Sequence, residues 1–260
     1  MDTLIVDRRD GVVTVTMNRP ERKNAINRAM LQALQDVLVE VEVCRDDRVL
    51  VLGGAGGAFC SGADLGDPEG MTGDPDAPAL VAMRRLGDAA LALHRLSKPT
   101  IAKVDGVAVG AGLSLALGCD LVVASERARF SAIFARRGLS LDFGASWLLP
   151  RLIGLARAKE VALFGDIFDA ARADALGLVN RVVPVAELDG FAADWARQLA
   201  AGPPLALSMT KTLLNAAMSS SMSEALEDEA RCQAVNFGSR DTTEAMVAFV
   251  EKREPRFSGR

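Results

Sequence analysis

Histidine is nearly absent from this chain of 260 residues; His94 is the only one. A Ser-His-Asp or Cys-His mechanism, or a histidine-rich metal site, would rest entirely on it. It precedes Arg95 at the end of an apparent helix, where a surface or capping role is the plainer reading. Cysteine is scarce as well. Cys44, Cys60, Cys119 and Cys232 are far apart and have no metal-ligand spacing. They read as reduced thiols filling core positions, and no metal site is expected. No apolar run approaches the roughly 18 residues of a membrane-spanning helix. The opening MDTLIVDRRD has no apolar signal segment, so a cytoplasmic protein with no membrane partner is expected. Basic residues are not in excess: 30 Lys and Arg stand against 34 Asp and Glu, for a net charge of −4. A nucleic-acid partner therefore has no electrostatic support. No GK[ST] follows a glycine loop, which excludes a P-loop, and no GxGxxG follows a strand in the register a dinucleotide fold needs.

What is present is a mixed α/β pattern. Leu4 to Val6 and Val12 to Met17 read as a hairpin around Gly11. After a basic loop, NRPERKNA (18–25), the apolar residues Met30, Leu31, Leu34, Val37, Leu38 and Val41 fall on one helical face, with Asn27 as N-cap. Val49 to Leu52 is a buried strand running into GGAGGAFCSGADL (53–65). Residues 66–78 are rich in Gly, Pro and Asp and read as a mobile loop, whose acids Asp67, Glu69, Asp74 and Asp76 read as solvated. A helix from Ala79 to Leu96 ends before Pro99. Thr100 to Val104 reads as a strand, followed by glycines 106, 110 and 112 and a small-residue helix. Further strands fall at Leu121 to Ala124, Ala128 to Phe130 and Val179 to Val183. Helices are expected at Ser146 to Leu149, Leu155 to Phe164 and Ala170 to Leu176. From Leu188 the pattern is helical to the end, in four segments. The change to all-helical character divides the chain into a core, 1–200, and a helical segment, 201–260. That segment is too small to support much core of its own.

Two strand-to-glycine-to-helix turns, at Gly62-Ala63 and at Gly110-Ala111-Gly112, are the chemical signal. Each presents backbone N–H groups, and two separate amide sources are what an oxyanion needs. AFCSGADL (58–65), VDGVAVGAG (104–112) and LGCDLVVAS (117–125) together resemble the crotonase superfamily, the enoyl-CoA hydratases and isomerases. The resemblance extends over nearly the whole chain. It implies an α/β fold, a crotonase-like spiral of ββα units with a C-terminal all-helical oligomerisation segment. It also implies a coenzyme A thioester as substrate, no permanently bound cofactor, and a homotrimer that stacks into a hexamer. Ala63 and Ala111 match the oxyanion-hole amides. Arg22, Lys23 and Ala25 match a CoA-contacting loop, and Phe249 and Lys252 match tail residues that reach CoA.

At the two positions where the resembled hydratases carry catalytic glutamates, this chain has Ser114 and Phe134. A serine hydroxyl is no base without help, and phenylalanine carries no proton. Asp142, in GLSLDFG (138–144), matches the single acid of the branch that shifts double bonds or isomerises ring epoxides. One carboxylate suffices for that chemistry, because the proton it removes is the proton it returns. Phe134, Phe143 and Trp147 are expected to surround it and raise its pKa. Ser114, Phe134, Leu139 and Phe143 are the expected substrate-pocket residues. The competing reading of Asp142 is a helix N-cap. An enoyl-CoA hydratase without the usual glutamates and a non-catalytic acyl-CoA binder are the alternative functions.

Overall fold

The computed structural model describes residues 2–67 and 78–260. The chain opens with β1 (Leu4–Arg9) and β2 (Val12–Met17), joined through Asp10 and Gly11, both at positive φ as a tight hairpin turn demands. Along β2, Val13, Val15 and Met17 are buried and their neighbours less so, the alternation of a strand with one core face. α1 (Arg28–Val43) starts at Asn27, whose side chain accepts the Met30 N–H at 3.0 Å, and it buries the six expected apolar residues. β3 (Val49–Gly54), α2 (Ala79–Arg95), β4 (Thr100–Val104), β5 (Val107–Val109) and α3 (Ala111–Leu117) follow. Then come β6 (Leu121–Ser125), β7 (Arg129–Ser131), α4 (Ala145–Ile153), α5 (Leu155–Phe164), β8 (Phe168–Asp169), α6 (Ala170–Leu176) and β9 (Arg181–Val183). The chain ends with α7 (Leu188–Ala201), α8 (Pro204–Ala217), α9 (Met222–Phe237) and α10 (Arg240–Glu251).

Two sheets result. One has the order β1-β2-β3-β4-β6-β9, parallel from β2 onward. The other is β5-β7-β8. β3 is buried on both faces, which explains its unbroken apolar run. Leu50 and Leu52 join the main core with α1, α2 and α3. Val49 and Val51 face the other way, packing with Ile101, Val123 and Val183 against Leu188, Ala196 and Ala200 of α7.

Two local expectations need correction. Val107–Val109 is a strand inside what reads as a glycine turn, because it pairs in parallel with β7 and bridges to Cys60. α4 runs through Pro150 instead of stopping before it. Proline removes one backbone donor there, and the partner it leaves is on the exposed Ser146. α8 and α9 bury no residue of their own in the chain. α8 is tied to the core through Lys211, 2.8 Å from Asp120, which also accepts the Thr100 N–H and hydroxyl. No helix among the described residues is long and apolar enough to cross a membrane.

Candidate active site

The first glycine turn is fixed to the basic loop by a parallel bridge. Ile26 donates its N–H to the Gly62 carbonyl at 2.7 Å, and Asp64 donates to the Ile26 carbonyl at 2.8 Å. In that pattern the residue between the two bonds turns its own N–H to the opposite side. Ala63 is that residue. Ala111 is the first residue of α3, so its N–H has no partner within the helix. Neither amide meets an acceptor among the described residues.

Glycine is what lets the two turns touch. Gly62 has φ +99°, and a Cβ on it would lie 2.9 Å from the Val109 carbonyl oxygen and 3.6 Å from the Ala111 nitrogen. A Cβ on Gly112 would lie 2.2 Å from the Cys60 carbonyl oxygen. Cys60 itself is fully buried, and burial pushes its thiol up to about 12, so it is not a nucleophile.

Ala63 and Ala111 line a cavity of about 240 Å³ together with Asp142, Phe134, Leu139 and Lys23. Asp142 is the one carboxylate among its described lining residues. Its Oδ1 is buried and has no hydrogen-bond partner among the described residues. Burial pushes its pKa up to about 6, since the low-dielectric surround disfavours the charged form. The N-cap reading does not hold: Gly144 caps α4, without a side-chain bond. Phe143 and Gly144 both adopt positive φ, +49° and +84°. For a bulky residue that conformation costs on the order of 1–3 kcal/mol, and it reverses the chain immediately after Asp142.

The residues expected around the acyl group divide between two cavities. Phe134 and Leu139 share the Asp142 cavity. Ser114 and Phe143 instead line a neighbouring cavity of about 770 Å³ between α2, α4 and α8. Trp147 lies there too, edge-on to His94 with ring centres 5.0 Å apart and with the Arg151 guanidinium over its face. Of the three aromatic residues expected around Asp142, only Phe134 lines its cavity. His94 is half-buried, not a surface cap, and burial lowers its pKa.

In the basic loop, Lys23 lines the Asp142 cavity, Arg22 is exposed, and Ala25 is buried with its carbonyl accepting Arg19 Nη1 at 2.6 Å. Phe249 and Lys252 are exposed on and just after α10 and do not line this cavity. Glu69, Asp74 and Asp76 lie outside the described residues. Two positioning groups escape the sequence reading. Asn24, fully buried, donates to the carbonyls of Ala55 and Ala58 and accepts the Arg19 N–H. Arg19 pairs with Asp64 at 2.8 Å, which holds that carboxyl below its ordinary pKa. In the sequence both are polar residues in polar loops, and nothing local marks them.

Comparison with known proteins identifies the family. The enoyl-CoA hydratase/isomerase family profile matches residues 7–260. A relative from Escherichia coli (strain K12), 1,2-epoxyphenylacetyl-CoA isomerase, is 40% identical over 256 residues, covering 96% of both chains. The enoyl-CoA hydratase domain-containing protein 2 of Homo sapiens, a mitochondrial protein, is 36% identical over 255 residues, 96% of this chain and 86% of its own. The crystal structure of enoyl-CoA hydratase from Bacillus anthracis superposes with a TM-score of 0.94 at 31% identity, covering 99% of this chain and all of the other. With the profile, the relatives and the spiral fold in agreement, this chain belongs to the enoyl-CoA hydratase/isomerase family, the crotonase superfamily, and is an enzyme of that family.

Proposed function

We propose that the protein is an isomerase of CoA thioesters that shifts a double bond, or isomerises a ring, through an enolate. The thioester oxygen accepts hydrogen bonds from the Ala63 and Ala111 N–H groups. Asp142 removes a proton from the α-carbon of a 3-enoyl thioester. The electron pair moves into the carbonyl and an enolate forms against the two amides. The double bond re-forms between the α- and β-carbons as Asp142 returns the proton to the γ-carbon. No water is consumed. One such amide is worth about 10²–10³ in rate.

The observation that carries this reading is the single carboxylate. Asp142, with an unpartnered buried oxygen, shares its cavity with two amides that have no acceptor. A pKa of about 6 leaves it mostly ionised at neutral pH and matched to proton transfer. Hydration is the weaker reading. It asks for a second acid or base, while Ser114 spends its hydroxyl on backbone carbonyls and Phe134 has none.

Lys23 at the cavity edge, with Arg22 and Ala25 beside it, is assigned to the CoA moiety. Phe249 and Lys252 are assigned to the CoA of a neighbouring copy, since both lie away from the cavity of their own chain. Residues 201–260 are accordingly the assembly segment and residues 1–200 the core, with a homotrimer, stacked into a hexamer, as the working assembly. The test is incubation with 3-hexenoyl-CoA in deuterated water, followed by absorbance for conjugation and by mass for deuterium. Ring-containing phenylacetyl-type thioesters are the second substrate class to assay, given the name of the Escherichia coli relative.

A further inference from the structure

Ser114, which lines the cavity next to that of Asp142, has no part in the isomerase reading. It is fully buried in α3, one turn after Ala111. Its Oγ lies 3.1 Å from the Asp142 carbonyl oxygen and 3.3 Å from the Gly110 carbonyl oxygen. A hydroxyl has one proton, and a buried one must spend it. Donation to Gly110 alone would be the ordinary back-bond of a helical serine. The shorter contact instead crosses to a distant segment of the chain.

Phe143 of that segment is buried in the main core and Leu141 packs against it, but its hydrogen bonds to distant parts of the chain are few. Among the described residues, the only hydrogen bond joining 140–144 to an element other than the adjoining α4 is the one from Ser114. The remaining bonds there are local: Ala145 N–H to the Asp142 carbonyl, and Trp147 and Leu148 N–H to the Gly144 carbonyl. Phe143, held at φ +49° and buried in the main core, leaves the bond from Ser114 as the directional anchor of the Asp142 carbonyl. The same helix that carries Ser114 begins with the Ala111 amide. One hydroxyl therefore sets the position of the Asp142 backbone against one of the two amides facing the cavity.

We propose that Ser114 is a positioning residue: its hydroxyl holds the Asp142 carbonyl, and so aims the Asp142 carboxyl into the cavity shared with the Ala63 and Ala111 amides. The inference rests on the isomerase reading for the meaning of that aim. A hydrogen bond placed where the hydratase branch of the resemblance would put a carboxylate leaves Asp142 as the sole proton carrier and fixes where it stands. The charged residues lining the same cavity are Lys23 from the basic loop and Arg137 from the 3-10 turn Ile133–Arg137. On α4, Arg151 is engaged with Trp147.

The test has two readouts. The first is the Asp142 carboxyl titration, followed by NMR with labelled aspartate and assigned by its loss in Asp142→Asn. In the wild type its midpoint is expected at about 6. In Ser114→Ala the released segment lets water reach the carboxyl, and the midpoint moves down toward the ordinary 3.8. The second is isomerisation of 3-hexenoyl-CoA. Ser114→Ala lowers kcat about tenfold with KM nearly unchanged, and shifts the acidic limb of the pH–rate profile in the same direction as the titration. Added to Asp142→Asn, it changes the residual rate by less than about twofold. Ser114→Cys, which keeps a weak donor, recovers part of the loss and serves where Ser114→Ala does not fold. A variant with the wild-type midpoint and kcat overturns the proposal, and so does a loss of equal size in both backgrounds. A wild type that converts no thioester overturns the isomerase reading instead, and the titration alone then decides the role of Ser114.

Discussion

Asp142 places a buried, unpartnered carboxylate oxygen where the chain must tolerate its charge. Folding raises its pKa from 3.8 to about 6. The folded protein therefore holds this proton more tightly than the unfolded chain does. The associated stability is fully present below pH 3.8 and is lost as pH rises through about 6. Replacing the carboxylate by an amide removes that dependence. Asp142→Asn should be more stable than wild type by about 1–3 kcal/mol at about pH 8, with the difference shrinking toward about pH 5, as read by urea unfolding at both values. An equal loss of stability at both would mean that the carboxylate is satisfied in the folded state. The raised pKa of this residue is expected from the sequence; its unpartnered oxygen is not. GLSLDFG is compatible with a cap, and only the placement of Gly144 at the head of α4 separates the two roles. Ser114 is less legible still, because its partner lies in a distant stretch and no local pattern predicts it.

At the scale of elements, the site is two turns in contact. Gly112 is one of the residues that permit it, its missing Cβ standing where the Cys60 carbonyl oxygen would be 2.2 Å away. Gly112→Ala should destabilise the protein by about 3 kcal/mol and depress activity beyond the loss of folded enzyme, because the two amides are pushed apart. Thermal melts and the rate per folded molecule check this; an unchanged melting temperature would show that the turns do not need the contact. The turns themselves are visible in the sequence, since glycines after an apolar strand have few other uses. The strand β5 between them is hidden, because three residues between Gly106 and Gly110 carry no periodicity. Its pairing with β7 and Cys60 supplies what local sequence cannot. The face of α1 is legible for the opposite reason: six apolar residues at helical spacing and an Asn cap all agree.

The whole molecule leaves its last three helices with little of their own to bury. Met222 is 78% exposed, Phe237 71%, Phe249 83% and Val250 78%. Apolar surface of this kind is ordinarily covered by association. Light scattering should give a mass of three times the chain, or six. Asp in place of Phe249 and Val250 should lower that mass and weaken affinity for CoA thioesters together, since two of the assigned CoA contacts, Phe249 and Lys252, lie on and just after that helix. A monodisperse monomer with full affinity would contradict the assembly. The proposed division near residue 200 rests on the change to helical character in the sequence. Which faces meet is not, because an exposed helix reads the same whether solvent or another copy lies beyond it.

Deuterium transfer into 3-hexenoyl-CoA, compared between the wild type and Asp142→Asn, decides whether Asp142 carries the proton. Conjugation with label at the α- or γ-carbon, or with internal proton return, is expected in the wild type. In the variant the rate should fall by about 10² or more while thioester binding is retained. Turnover that survives Asp142→Asn would contradict that role.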